Sequence, residues 1–160
     1  MKKWMMGVLT FLFLFSGLSS QVFAAAPVRD NDDPSGDTWN SGTWTYKKAS
    51  SGFRGDYRYR TSNSTSAEYG WVLPTNNSPK VIYVYLNANL ASNTRADYWV
   101  GGKHFAYVNQ KKALGGWNKV RKGATSAAVA TLAKNSLGMD IAVMATGNGH
   151  TVADGIRLDN

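Results

Sequence analysis

The sequence predicts an all-β fold, a sandwich of about eight short strands. Three observations carry that reading. Runs of alternating side chains are rich in Tyr, Trp, Val and Thr, the residues that suit a pleated, half-buried surface. Between the runs stand turn residues at short intervals, among them Asn76-Asn77, Gly101-Gly102, Gly115-Gly116 and Gly147-Asn148-Gly149. Helix-favouring surface residues are scarce, and beyond residue 24 Glu68 is the only glutamate.

The chain opens with Lys2 and Lys3, an uncharged apolar run from Met5 to Phe15, the breakers Ser16 and Gly17, and Val22-Phe23-Ala24. This is the layout of a secretory signal peptide cut after Ala24. The run is 11 residues long, too short for a membrane span of ~20. Residues 1–24 are therefore expected to leave, and the protein to be secreted with no transmembrane segment. Residues 25–37 read as a flexible polar lead-in, and 38–160 as one sandwich domain, a normal domain length. The remaining chain has 16 basic and 10 acidic residues, a net charge of +6. There is no cysteine. That excludes disulfides, thiolate nucleophiles and Cys-ligated metals, and it fits export from a Gram-positive cell.

Each strand follows from its alternation. Gly42 to Lys48 sets Trp44 and Tyr46 against Thr43, Thr45 and Lys47. Asp56 to Thr61 sets Tyr57 and Tyr59 against Arg58 and Arg60. Ser66 to Leu73 stops at Pro74. In Lys80 to Ala88, Ile82, Val84 and Leu86 belong to the core and Tyr83 and Tyr85 to the outer face. Ala96–Val100, His104–Gln110, Asp140–Thr146 and Thr151–Asp159 follow. Thr125 to Gly138 differs: it is Ala-rich, with a capping Thr or Ser before it and Gly after. A short helix or a further strand both suit it.

Catalysis finds little support. Glycosidases need two carboxyls ~5–10 Å apart, and no spacing singles out a pair. A Ser–His–acid triad has only His104 and His150 to draw on, and no Gly-x-Ser-x-Gly occurs. The expectation is that the chain is not an enzyme. Asp30, Asp32 and Asp33 offer hard oxygens of the kind Ca²⁺ prefers, so a structural calcium is the one cofactor considered. Asp154 interrupts the apolar closing strand, and a carboxylate there needs hydrogen-bond donors. Arg157 or a tyrosine hydroxyl is the expected partner.

Binding finds more. Sugar rings stack their C–H faces on aromatic rings, while their hydroxyls seek Asn, Asp and Arg. Trp44 and Trp71 are assigned to the core. Trp39, Trp99 and Trp117 lie at strand ends or beside Gly-rich turns and are the candidate platforms, with Tyr83 and Tyr85 on an outer face. Arg58, Arg60, Lys119 and Arg121 stand among these aromatics and suit a polyanion. Outside a cell the available polyanions are teichoic acids, uronate polysaccharides and anionic lipid rather than a specific nucleic acid.

The order of several motifs resembles the C-terminal domain of golvesin and the carbohydrate-binding-like domain of xanthan lyases. They are Ser41-Gly42-x-Trp44, Gly55-Asp56-Tyr57-Arg58-Tyr59, Trp71-x-Leu73-Pro74, Ile82-Tyr83-Val84-Tyr85-Leu86 and Thr94-Arg95-Ala96-x-Tyr98. Asn109-Gln110 with Gly116-Trp117 follows, and Val152-Ala153-Asp154-Gly155-Ile156-Arg157-Leu158 is the most specific. The resemblance spans Asp37 to Asp159. It implies a galactose-binding-like jelly-roll sandwich that acts as an accessory or surface domain.

Together these readings predict a secreted, non-catalytic module. It would bind a polysaccharide or an anionic cell-wall polymer by stacking and by salt-sensitive Lys/Arg contacts. The alternative is a structural envelope, matrix or spore-surface protein that self-associates through strand edges. A small hydrolase using His104 or His150 is the third reading.

Overall fold

The computed structural model describes residues 25–34, 37–61, 67–74, 81–86, 90–120, 134–135 and 138–159. The expected leader, Arg121 and most of the Ala-rich segment lie outside the described residues. No helix among them is long and apolar enough to cross a membrane.

In chain order the strands are β1 (Val28–Arg29), β2 (Thr38–Asn40), β3 (Thr45–Lys48), β4 (Asp56–Arg60), β5 (Glu68–Leu73), β6 (Val81–Leu86) and β7 (Ala96–Val100). They continue with β8 (Lys103–Val108), β9 (Gly116–Val120), β10 (Lys134–Asn135), β11 (Gly138–Met144), β12 (Thr151–Ala153) and β13 (Ile156–Asp159). Only two 3₁₀ turns, Phe53–Gly55 and Gln110–Lys112, interrupt them among the described residues.

One sheet has the order β2-β5-β11-β7-β8, with β10 paired to β11; a second has the order β1-β13-β6-β9. A third, β12-β4-β3, joins the second through the closing segment. All pairings are antiparallel. Alternation puts Tyr69, Trp71 and Leu73 inward from β5, Ile141 and Val143 from β11, and Tyr98 and Val100 from β7. They meet Ile82, Val84, Leu86, Ile156 and Leu158 in one core. Each such side chain stabilises the fold by about 1.5–3 kcal/mol. Trp44 and Trp71 are buried as expected, and Tyr83 and Tyr85 face away from the core. The chain is an all-β jelly-roll sandwich.

Three elements differ from the sequence reading. Val28–Arg29, read as lead-in, pairs with β13, and Asp30 and Asn31 behind it are fully buried. Its polarity resembled a linker because its hydrogen-bond partners are distant in sequence. Gly116–Val120 was not read as a strand, yet it pairs with β6 along its length. The closing segment is not one strand. It breaks at Asp154-Gly155, so that β12 pairs with β4 and β13 with β6. A Cβ on Gly155 would lie 2.7 Å from the Phe53 ring, so the aromatic ring requires the glycine. Of the Ala-rich segment, Lys134–Asn135 and Gly138 are strand; the rest lies outside the described residues.

Candidate functional site

In the first sheet Trp39 pairs with Gly70, Gly70 with Ala142, Ala142 with Trp99, and Trp99 with His104. Residues opposite one another in an antiparallel sheet share a face. Their chain neighbours Tyr69, Trp71, Ile141, Val143, Tyr98 and Val100 fill the core, so this row faces outward. It is a trough in which the Trp39 indole lies across Gly70 and Ala142 separates it from Trp99. Trp39, Glu68, Trp99, Gly102, Asp140, Ala142 and Met144 line a cavity of about 180 Å³ there.

The floor residues are small because the indoles need the space. A Cβ on Gly70 would sit 2.1 Å from Trp39 Cε2. Trp39 Nε1 donates to Asp140 Oδ1 at 3.1 Å, which fixes the ring. Trp99 is packed edge-on by His104, with centroids 5.5 Å apart. Asp140 pairs with Val72 and Glu68 with Met144, so their backbone positions are four residues apart along the strands, about 13 Å. Both are acceptors suited to sugar hydroxyls. Beside them Asp97 is held by Thr146 Oγ1, by His104 Nε2 at 3.1 Å and by Arg95 at 3.6 Å. Burial pushes its pKa up, but the hydrogen bonds and neighbouring charges outweigh this and leave it below the usual carboxylate value. An acid catalyst requires the opposite shift.

The predicted ligand residues fall on three surfaces. Trp39 and Trp99 come together in the trough. Tyr83, Tyr85, Trp117 and Lys119 lie on the outer face of β6 and β9, where Tyr85 is opposite Trp117 and Tyr83 opposite Lys119. Their rings are engaged with other side chains. Arg157 stacks on Tyr83 and Trp117 at 4.7 and 4.9 Å, and Phe53 packs on Tyr85 and Trp117. Arg58 and Arg60 sit on β4. Arg58 lies over Tyr46, and Arg60 Nη1 donates to Thr43 O at 2.9 Å. Aromatic and basic groups meet on the β6–β9 face and at Arg58 and Tyr46; the trough is flanked by carboxylates.

The acidic run is regrouped. Asp30 and Asp32 join Asp56, each offering an oxygen within 4.8 Å of the others. Asp33 turns away: its carboxylate accepts from Asp30 N at 2.9 Å and pairs with Arg54 at 3.2 Å. Asn31 Nδ2 donates to Asp56 Oδ1 at 2.7 Å. Asp30 Oδ2 and Asn31 Oδ1 are buried without a hydrogen-bond partner among the described residues. Burial pushes Asp30 up to about 6, aided by Asp32 and Asp56 and opposed by hydrogen bonds from Asn31. Asp30 Oδ2 lies 3.9 Å from Arg54 Nε, an ion pair without a hydrogen bond; three hard oxygens, with Asn31 Oδ1 lacking a hydrogen-bond partner among the described residues, fit a calcium ion.

Asp154 is buried, and burial pushes it up to about 8, against the opposing hydrogen bonds from Phe53 N and Gly155 N. Its partner is the Phe53 amide, 3.1 Å from each oxygen, not Arg157 or a tyrosine. Arg157 Nη2 donates instead to Asp159 Oδ2 at 3.0 Å. Asp140, Gly70 and Ala142 were not foreseen as site residues, and Glu68 was weighed only as a catalytic acid. The available signal was Gly70, since a glycine inside an aromatic strand marks close approach.

No protein-family model and no curated protein matches the sequence. Solved structures do resemble the fold. Part of the Paenibacillus xanthan lyase matches 84% of this chain with TM-score 0.63 and 21% identity. The Agl-KA catalytic domain matches 84% at TM-score 0.52 and 15% identity. The exo-β-1,3-galactanase of Phanerochaete chrysosporium matches 84% at TM-score 0.52 and 12% identity. The chain spans 13%, 27% and 29% of those proteins. Such likeness defines a class of fold, the antiparallel jelly-roll β-sandwich. It agrees with the xanthan lyase half of the sequence resemblance; the golvesin half has no matching family model behind it.

Proposed function

We propose that the chain is a secreted, non-catalytic carbohydrate-binding module that holds a neutral stretch of polysaccharide in the trough between Trp39 and Trp99. One observation carries the reading: the register places two indoles on one outward face, Trp39 lying over Gly70 and Trp99 across Ala142 from it. Stacking on the rings supplies apolar contact, and Glu68 and Asp140 accept sugar hydroxyls. Their negative charge favours neutral sugars over polyanions. Two of the similar structures, a xanthan lyase and an exo-β-1,3-galactanase, bear the names of polysaccharide-acting enzymes, which supports a glycan ligand. The downward shift of Asp97 supports binding rather than acid catalysis.

Retention of the protein on a panel of insoluble neutral polysaccharides tests this. Trp39→Ala and Trp99→Ala should each weaken retention about tenfold or more, roughly the loss of one buried aromatic contact, with no reducing ends released. Unchanged retention in the double variant would remove the trough from the function. Self-association remains the competing role, but edge strands β3 and β8 carry Lys47, Lys48 and Lys103, charges that discourage edge pairing.

The same reading includes a calcium ion held by Asp30, Asp32 and Asp56. The unmet oxygen of Asn31 supports it. Its role is to tie β1 and β4 together away from the trough.

A further inference from the structure

A second and larger concavity lies apart from the trough and shares no residue with it. Lys47, Tyr57, Tyr59, Leu90, Ser92 and His150 enclose about 410 Å³, within the ~300–1,000 Å³ of ordinary ligand pockets. Its chemistry is the reverse of the trough's. No carboxylate lines it among the described residues. Lys47 is exposed and makes no ion pair among the described residues. Asp56, close by in sequence, is opposite Lys48, on the other face of the strand pair from Lys47 and Tyr57.

The walls are built rather than incidental. Tyr59 is packed between Tyr57 and His150, at 6.1 and 5.6 Å between centroids. The His150 segment is locked to the neighbouring loop. His150 N donates to Ser92 Oγ at 2.8 Å, and His150 O accepts from Ser92 N at 3.2 Å and Asn93 N at 3.0 Å. Gly147 and Gly149, at φ 114° and 102°, let the two backbones approach this closely. A Cβ at either would fall within 2.1–2.5 Å of Asn93 Oδ1 or Ser92 O. The rim is therefore preorganised, which lowers the entropic cost of binding. The buried Tyr57 hydroxyl has no hydrogen-bond partner among the described residues.

The geometry points to a second glycan site that takes a sugar unit bearing one anionic group, with the ring against Tyr59 and Leu90 and the anion on Lys47. The anion is a carboxylate of a uronic acid or a phosphate ester; a charge-assisted contact from lysine suits both. The assignment does not rest on the trough, and the two sites fail separately.

The test is titration of the purified protein, followed by ¹⁵N–¹H NMR, with three probes: trigalacturonic acid, glucose 1-phosphate and a neutral galactose trisaccharide. Binding of either anionic probe, shifting the Lys47, Tyr59 and His150 resonances, is expected. Lys47→Gln should weaken it about tenfold, Lys47→Arg should restore most of it, and Trp99→Ala should leave it unchanged. Lys47→Gln should not alter neutral binding. Which anionic probe binds identifies the source of the charge. The assignment is overturned if neither binds, if Lys47→Gln has no effect, or if the neutral sugar shifts the same pocket equally. Lys47 is exposed, so its variants keep the fold, and their spectra verify that directly.

Discussion

Two single residues decide the shape of the trough. Gly70 admits the Trp39 indole, and a methyl group there would meet the ring at 2.1 Å. Gly70→Ala should expel the ring from its place on the sheet and break its bond to Asp140. Retention should fall as far as in Trp39→Ala while the urea midpoint moves little, because the outer face lies away from the core. A variant that retains polysaccharide normally would contradict the trough geometry. Asp154 makes a different prediction. Its folded pKa of about 8 exceeds the usual 3.8, so charging it opposes folding. Its contribution to stability is complete below about pH 4 and is lost as pH rises to 8. Asp30, raised to about 6, acts with the same sign over the lower part of that window. In chelator, the wild type should therefore lose stability between pH 6 and 8, and Asp154→Asn should not. Equal slopes in urea unfolding at those pH values would refute the assignment.

At the scale of elements, the polar ties between strands carry as much of the design as their apolar faces. Gln110 is fully buried and behaves like a piece of strand. Its Oε1 accepts from Val152 N at 2.9 Å, and its Nε2 donates to Val152 O at 3.0 Å and to Tyr98 Oη at 3.2 Å. It fastens the edge of β12 opposite the one that pairs with β4. Gln110→Leu leaves both Val152 backbone groups unpaired, at about 1–3 kcal/mol each. A loss of about 3 kcal/mol is expected, read as a lower urea midpoint at unchanged m-value. The Asp30, Asp32 and Asp56 cluster similarly ties the segment after β1 to β4. Calcium should raise Tm by several degrees over the chelated protein, because an ion bound only by the fold stabilises it by mass action. Asp56→Ala should abolish that difference; a Tm indifferent to calcium in the wild type would remove the ion.

For the whole molecule, the sandwich divides its surface by charge. The outer face of the β2-β5-β11-β7-β8 sheet presents two indoles with carboxylates, and the pocket beside β3 and β4 presents tyrosines with a lysine. On the proposed reading, a chain with a net excess of basic residues would offer a neutral-sugar face and a separate anion-accepting pocket. With no cysteine, its cohesion comes from one continuous core, in which Trp71, Tyr98, Ile82 and Ile156 are at most 1% exposed.

The sequence by itself determined which residues face inward. Ile82, Val84, Leu86, Trp44 and Trp71 were legible as core because strand alternation is a local property of the backbone. Trp39 and Trp99 were singled out as candidate platforms by their positions at strand ends or beside Gly-rich turns, and the register places both on one outward face. The tertiary structure alone decided who meets whom. Asp140 lies 101 residues from the Trp39 it anchors, and Asp56 lies 25 residues from the Asn31 it binds. No period in the chain encodes such pairs. They follow from strand order and register, which are set when distant apolar faces pack together. The same packing set Tyr83, Tyr85 and Trp117 against Arg157 and Phe53, and left the space between Trp39 and Trp99 open.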